Sequence, residues 1–462
     1  MAQSKVTGAA RNIHKRNLIF HLLRHYVDFV FYQYYSKVEV TGKEKIPRGE
    51  AVIFAPNHQN ALMDALIVLF SCGQDVVFLA RADLFRKKFI AFLMNSLKIL
   101  PVFRQRDGTS ELGKNQEIFD ITVDVLNNRH FLCLMPEGNH GGHRRLRPLV
   151  KGIFRIAFKA QEPYGNRPFV KIVPAGLDFG HYVKQNQSLL INYGDPIEVS
   201  DYWDLYTENS ARGINAVKER LAEEMKPLMI NIETEEFYEM VMGLRTIFNK
   251  RMREILKIKG SKLSHRFEAD KHMIDSIDKA IEKDEEKVRV LSGKVNSYFE
   301  AVESMKIRDW VVRNKGFLFG RRFWRYFTLI VTSPLFVAGF LTNAASYFLP
   351  VHMARNIKDL QFHASVKVGI ALLISFPLAY LLQTLLVGIF TGPWWIWVAY
   401  LVALYPMGKF ALLWYLRWKK TVRGGWFRRQ LRKKESAAWD LVNQRKEIVE
   451  LTEELLTASS RE

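Results

Sequence analysis

The sequence predicts an α/β domain, then a charged helical region, then a C-terminal transmembrane helical hairpin. Three observations predict it. Between about 38 and 200, short β-branched runs broken by Pro, Gly and Asn alternate with helical stretches. Through the charge-rich residues 201–320 runs a 3-4 apolar spacing. Between 368 and 414 lie two stretches almost without charge, each about 22 residues and enough to cross a ~30 Å hydrocarbon core. Composition agrees: 462 residues exceed one ordinary domain, and 48% hydrophobic residues exclude a disordered chain. The formal charge of +21 suits nucleic acid, an anionic membrane surface or phosphate-bearing substrates. Two cysteines, Cys72 and Cys133, cannot make a disulfide framework, which points to a reducing compartment. The N-terminal MAQSKVTGAARNIHKR lacks the apolar core of a signal peptide.

The first region, 1–37, predicts an amphipathic helix over 12–35. His21, Arg24, His25, Asp28 and Tyr32 recur on one face, while Leu18, Phe20, Leu22, Leu23, Val27, Phe29 and Phe31 occupy the others. Arg24 and Asp28 argue against a span. The wide apolar face suits a helix lying in a membrane interface or one packed on the next domain. In 38–200 the expected strands are Ala51–Ala55, Val76–Leu79, Leu100–Phe103, Phe131–Met135 and Val170–Val173, with helices over Arg86–Ser96 and Glu117–Asn127.

In 201–320, an apolar stripe from Ile274 to Met305 has Asp284 as its one polar interruption, and Phe237, Met240, Leu244, Ile247 and Phe248 mark an upstream helix. The two fold back as an antiparallel hairpin or pair between chains as a short coiled coil, and the short repeat favours the hairpin. Region 321–420 is the membrane part, with spans at about 368–390 and 393–414 joined at Thr391-Gly392-Pro393 and bordered by Trp394, Trp395 and Trp397. A third apolar stretch, 327–349, carries Pro334 and Asn343 and reads as interfacial or re-entrant. Arg321, Arg322 and Arg325 precede the region; a basic then acidic helical tail, 421–462, follows it. Basic flanks at both ends favour the cytoplasm and an even number of crossings.

Four polar blocks carry the chemistry. After the strand Ala51–Ala55, the run PNHQNALMD places His58 and Asp64 where open α/β sheets bind ligands. A neutral imidazole takes a proton from a hydroxyl, and a carboxylate fixes its tautomer; such pairs also serve as caps or core histidines. PVFRQRDG supplies Arg104 and Arg106, suited to a phosphate or to a solvated basic turn. LMPEGNHGGHRRLR supplies a tight turn at Glu137 and Gly138 whose amides suit an anion, with Arg144 and Arg145 close by. Among so many cations Glu137 reads as the organiser of an arginine. His140 and His143 are metal-ligand types, but no Cys or second acidic ligand accompanies them at matching spacing, and no metal is expected. In KIVPAG, Val173 and Pro174 suit an apolar wall.

NHQNALMD, PVFRQRDG, MPEGNHGG and KIVPAG, in this order, resemble the glycerolipid acyltransferase family, which includes glycerol-3-phosphate and lysophosphatidate acyltransferases. The resemblance covers roughly 38–200. It implies an acyltransferase-type mixed sheet flanked by helices, with no cofactor and with acyl-CoA or acyl-carrier protein as co-substrate. It implies His58 as general base, Asp64 as its orienting partner, Arg104, Arg106, Arg144 and Arg145 on the acceptor's phosphate, and amides around Asn57–Asn60 or Gly138 as oxyanion donors. Val173 and Pro174 become the acyl-pocket wall.

Two departures matter. The family sets His and Asp with four intervening residues; here five intervene, so the turn must bulge by one. That spelling resembles fungal-type glycerol-3-phosphate/dihydroxyacetone-phosphate acyltransferases and favours glycerol 3-phosphate as acceptor, with lysophosphatidate the alternative. Asn139 and His140 stand where the family often has Ser or Thr and Arg, which moves the phosphate contact to Arg144 or Arg145. The expected setting is a multi-pass membrane protein with its catalytic domain on the cytoplasmic face, meeting the bilayer, the acyl carrier and a phosphorylated glycerol. A catalytically dead lipid-binding scaffold is the alternative from another class. Nucleic-acid binding leaves the hairpin unexplained.

Overall fold

A computed structural model describes residues 13, 18–85, 88–102, 109–317, 319–357, 359–433 and 436–459. The chain forms two compact units, one of residues through Asn231 together with Ile357–Ser365, the other of Ile232–Asn356 with Val366–Glu462.

The first unit opens on α1 (Leu18–Tyr34). Its Phe20, Val27 and Phe31 are buried, and Phe31 meets Phe70 at 5.6 Å between ring centroids. Arg24 lies with this inward face: it bonds Asp75 at 2.5 Å and the Leu69 carbonyl at 3.4 Å. The polar positions therefore tie the helix to the domain, and a second apolar stripe of Leu18, Leu22, Phe29 and Tyr32 points outward.

The chain continues through β1 (Lys37–Thr41), β2 (Ala51–Pro56), α2 (Leu62–Cys72), β3 (Val76–Arg81), α3 (Lys88–Ser96), β4 (Ile99–Val102) and α4 (Thr109–Asn127). Then come β5 (Phe131–Cys133), α5 (Gly152–Gln161), β6 (Val170–Phe179), β7 (Ser188–Tyr193), β8 (Ile197–Glu198), α6 (Trp203–Glu208) and α7 (Ser210–Met225). The sheet order is β1-β7-β6-β2-β5-β3-β4, with β8 also on β6. All pairings are parallel except β6 with β7 and β6 with β8, so the sheet is mixed. Every residue of β2 is buried, as expected of a parallel strand covered on both faces. On one face Ile53 and Ile172 share a core with Val125 of α4, Phe154 of α5 and Val217 of α7. On the other, Phe54 stacks on Phe131 and meets Tyr193.

Two expectations need correction here. The strand read as Val170–Val173 does not end at its proline but runs to Phe179. Proline is normally excluded from a central strand because it cannot donate to the ladder. Pro174 is tolerated because β6 changes neighbours around it: Lys171 and Ile172 pair with β8, and Ala175–Phe179 pair with β7. The strands β1, β7 and β8 were not anticipated, since their runs carry Lys, Glu, Ser and Asn.

The second unit holds α8 (Tyr238–Ile247), α9 (Asn249–Ile255), α10 (Leu263–Lys283), α11 (Glu285–Ser304) and α12 (Asp309–Arg313). Next are α13 (Phe319–Val331), α14 (Ser333–Ala354), α15 (Leu360–Ile370), whose first residues count with the first unit, a π-helical turn over Ala371–Ser375, α16 (Phe376–Thr391), α17 (Trp394–Gln430) and α18 (Ala437–Ser459). The stripe from Ile274 to Met305 is not one helix. Asp284 breaks it and caps α11, its side chain accepting from the Lys287 amide.

Nor is the acidic tail separate from this region, because α18 packs on α10, α11 and α12. Arg445 bonds buried Asp309 at 2.7 Å and the Ile247 carbonyl at 2.9 Å, and Tyr298 completes the carboxylate at 2.9 Å. Arg251–Glu453 and Lys294–Glu447 add exposed pairs.

Among the described residues three helices are long and apolar enough to cross a membrane: Ser333–Ala354, Phe362–Thr391 and Trp394–Gln430. The stretch expected at 327–349 is split between α13 and α14 at Thr332, with Pro334 in the first turn of α14, where a missing N–H costs nothing. Asn343 is satisfied inside this unit, donating to the Leu404 carbonyl and accepting from Tyr380.

Arg445→Ala leaves the Asp309 carboxylate buried without its cation and should cost about 3 kcal/mol, seen as an earlier melt of the full chain in detergent. Lys294→Ala, at an exposed pair, should cost under ~1 kcal/mol.

Candidate active site

The site forms where β2 runs out. Beyond Pro56 the ladder to β6 is continued by a side chain: Asn57 accepts from the Leu177 amide at 2.6 Å and donates to its carbonyl at 3.3 Å. That two-point bond fixes the start of the turn carrying His58. Within the turn one atom takes three donors. Asp64 Oδ2 lies 2.9 Å from His58 Nδ1, 2.8 Å from the Gln59 amide and 2.7 Å from the Asn60 amide. A carboxylate can only accept, so His58 holds its proton on Nδ1 and Nε2 becomes the basic nitrogen.

The surplus residue between His58 and Asp64 is absorbed at Ala61. Its φ of 48° and ψ of −123° put it at the first central position of a turn closed by the Met63 amide on the Asn60 carbonyl at 2.9 Å. A left-handed φ there is ordinarily a glycine's. Tyr182 latches the outside, donating from its hydroxyl to Gln59 at 2.9 Å and accepting from Asn60 Nδ2 at its carbonyl at 3.0 Å.

The loop after β5 closes the other side. Glu137 is buried, accepting from the His58 amide at 2.8 Å and the Arg147 amide at 3.3 Å. The Gly141 amide returns a bond to the His58 carbonyl at 3.3 Å. Glu137 thus organises backbone rather than the guanidinium expected for it, and burial pushes its carboxyl up to about 7 despite those two amides. Gly138 has φ +67°, and a Cβ there would meet Val150 at 3.1 Å. His140 places its ring 5.5 Å from that of His58. Burial, then the His58 ring, hold its pKa below the usual imidazole value, against the pull of Asp359 and Asp64.

The remaining expected residues divide. Arg144 is buried, bonded to Asp178 and to the Phe179 carbonyl, and stacked over Tyr182 at 5.2 Å. It braces β6 against the histidine turn instead of facing outward to a phosphate. Arg145 beside it is exposed. Arg104 and Arg106 lie outside the described residues. Val173 and Pro174 are buried in β6. The amides expected as oxyanion donors are committed: Asn57 to the Ala175 carbonyl, His58 to Glu137, Gln59 and Asn60 to Asp64, and Gly138 to the Met135 carbonyl. Cys72 and Cys133 are buried, and burial raises both thiols, Cys72 to about 11. Sequence reasoning missed the side-chain roles of Asn57, Tyr182 and Asp178; the polar run NHQN between strand and helix was the available signal for the first.

Residues 37–178 match the family model described as Acyltransferase. The Glycerol-3-phosphate O-acyltransferase 1 of Saccharomyces cerevisiae is 28% identical over 130 residues, which is 28% of this chain and 17% of the yeast protein. The 1-acyl-sn-glycerol-3-phosphate acyltransferase of Borreliella burgdorferi is 29% identical over 125 residues, 27% of this chain and 47% of that protein. The matches therefore span less than half of each curated relative. Among solved structures, the 1-acyl-sn-glycerophosphate (LPA) acyltransferase PlsC from Thermotoga maritima aligns at 17% identity and a TM-score of 0.33, covering 53% of this chain and 81% of that one.

Ala61→Gly should relieve about 1 kcal/mol of backbone strain and raise the melting temperature, whereas Ala61→Val should lower it. Glu137 carries a raised folded pKa, so its contribution to stability is present below pH 4.5 and is lost as pH rises through about 7. Melting curves of the unaltered chain and Glu137→Gln should accordingly diverge across that window, the unaltered chain losing ground as pH rises.

Proposed function

We propose that this chain, whose residues 37–178 are an acyltransferase-family domain, moves a fatty acyl group from acyl-CoA or acyl-carrier protein to glycerol 3-phosphate or dihydroxyacetone phosphate. The observation that carries the proposal is the His58–Asp64 pair, 2.9 Å apart at the end of a buried parallel strand. His58 Nε2 takes the proton of a glycerol hydroxyl; the oxygen attacks the thioester carbonyl; the tetrahedral intermediate collapses and expels the thiolate. Asp64 holds the ring and balances the imidazolium. With both cysteine thiols buried and raised, transfer is direct rather than through an acyl-enzyme. Arg145, Arg104 and Arg106 are assigned to the acceptor's phosphate, Arg144 to bracing the turn, and Val173 and Pro174 to the wall of the acyl site.

A membrane setting follows from the substrates, since acyl chain and product partition into the bilayer while phosphate and carrier stay in water. Two observations support an even number of crossings with the catalytic domain on the cytoplasmic face. The helices before the apolar region and α18 after it share one bundle through Arg445 and Asp309, so the chain returns to the side it left. Ile357–Ser365, between two apolar helices, belong to the unit of the catalytic sheet. Both are met if α15–α16 and α17 cross and α14 does not. The basic residues flanking these helices favour the cytoplasm.

Lysophosphatidate as acceptor is the second reading, supported by the Borreliella relative at matching identity. The full chain in detergent should form an acylated product from acyl-CoA and glycerol 3-phosphate, identified by mass. His58→Ala should lower turnover by ~10²-fold or more with expression unchanged. Product only from lysophosphatidate would transfer the reading to that acceptor, and near-normal turnover in His58→Ala would remove the base assignment.

A further inference from the structure

A second imidazole–carboxylate pair stands beside the first. His140 Nε2 lies 2.7 Å from Asp359 Oδ2, and the His140 ring meets that of His58 edge-on at 5.5 Å. His140 comes from the loop that Glu137 and Gly141 fasten to His58. Asp359 comes from far along the chain, immediately ahead of the apolar helix that begins α15. Its carboxylate is shared: Oδ1 accepts from the Phe362 amide at 3.3 Å, capping that helix, while Oδ2 takes His140. Ser365 on the same segment is buried and reaches the Asn60 carbonyl at 3.4 Å, within the turn that presents His58.

We propose that Asp359 is a positioning residue for acyl transfer, holding His140 against the edge of His58 through a segment that the membrane part of the chain returns to the catalytic unit. The proposal rests on the acyltransferase reading above. Asp359 can only accept, so His140 presents a proton on Nε2 to it, while burial and the His58 ring favour the neutral imidazole. A neutral ring with a carboxylate behind it limits the rotation of His58 and tolerates a positive charge there. An unpaired His140 is free to turn away from His58, and the pair no longer sets a carboxylate behind the ring that faces the imidazolium. The same carboxylate also caps the first turn of α15, so one side chain serves both contacts.

The bland alternative is that Asp359 is only a helix cap. Asparagine caps helices as well as aspartate does, which separates the two. In the full chain, with acyl-CoA and glycerol 3-phosphate or lysophosphatidate, both Asp359→Asn and Asp359→Ala should lower kcat ~10- to 100-fold with KM for the thioester little changed. Asp359→Glu should recover part of the loss. In a His140→Ala background Asp359→Asn should have no further effect. Turnover of Asp359→Asn equal to the unaltered chain, with Asp359→Ala impaired, would reduce the residue to a cap and overturn the proposal. Full additivity of His140→Ala and Asp359→Asn would overturn it too. If the unaltered chain turns over neither acceptor, the acyltransferase reading fails and the proposal goes with it; the unaltered chain's activity thus distinguishes the two failures.

Discussion

One carboxylate oxygen holds the candidate site together. Asp64 is fully buried, and its Oδ2 takes a ring N–H and two backbone N–H groups within 2.9 Å. Its Oδ1 has no partner among the described residues, so all of its hydrogen bonding falls on one atom. A buried anion costs several kcal/mol unless donors surround it, and here the donors belong to the turn it must shape. Geometry and charge compensation are therefore one requirement. The amides of Gln59 and Asn60 satisfy the carboxylate only if the chain doubles back, and that doubling brings Nδ1 of His58 into reach.

The rest of the unit serves to keep that turn from relaxing. Asn57 extends the β2–β6 ladder beyond Pro56 with side-chain atoms. Glu137 and Gly141 hold the two backbone polar groups of His58 from opposite ends of one loop. Tyr182 and Arg144 brace the outside, anchored through Asp178 at the end of β6. Gly176 lies against the Leu228 carbonyl, where an added Cβ would sit 1.9 Å away, so no larger residue fits that part of the strand. The block KIVPAG, which offers no reactive group, shapes the site through backbone.

What the sequence made legible was the chemistry-bearing skeleton. Apolar runs bounded by Pro, Gly and Asn revealed the parallel core strands, and the polar break after β2 revealed His58 and Asp64. Strands that lean on neighbours instead of on their own pattern stayed hidden, as Lys37–Thr41 shows: it is paired along β7 and carries Lys and Glu. The proline rule misjudged Val170–Phe179 because a change of neighbour, invisible locally, excuses Pro174. Arg144 looked like a ligand residue because basicity is visible in a sequence and burial is not. Asp359 lay beyond any local reading: roughly 300 residues separate it from the turn that Ser365 touches.

The membrane region illustrates why length and hydropathy alone do not set the number of crossings. Three helices qualify by composition, yet α18 and α8–α12 are stitched by a buried ion pair, and a charged, partly buried link of that kind is not made across a bilayer. Packing outside the apolar helices therefore bears on the proposed parity as much as their hydropathy does. Polar contacts hold α14 to its neighbours: Asn343 bonds Leu404 and Tyr380, the Ser346 carbonyl takes Ser375, and the Thr342 carbonyl takes Gln383. Polar side chains that satisfy one another in this way hold apolar helices side by side, while Leu335, Phe340 and Leu341 of α14 remain exposed.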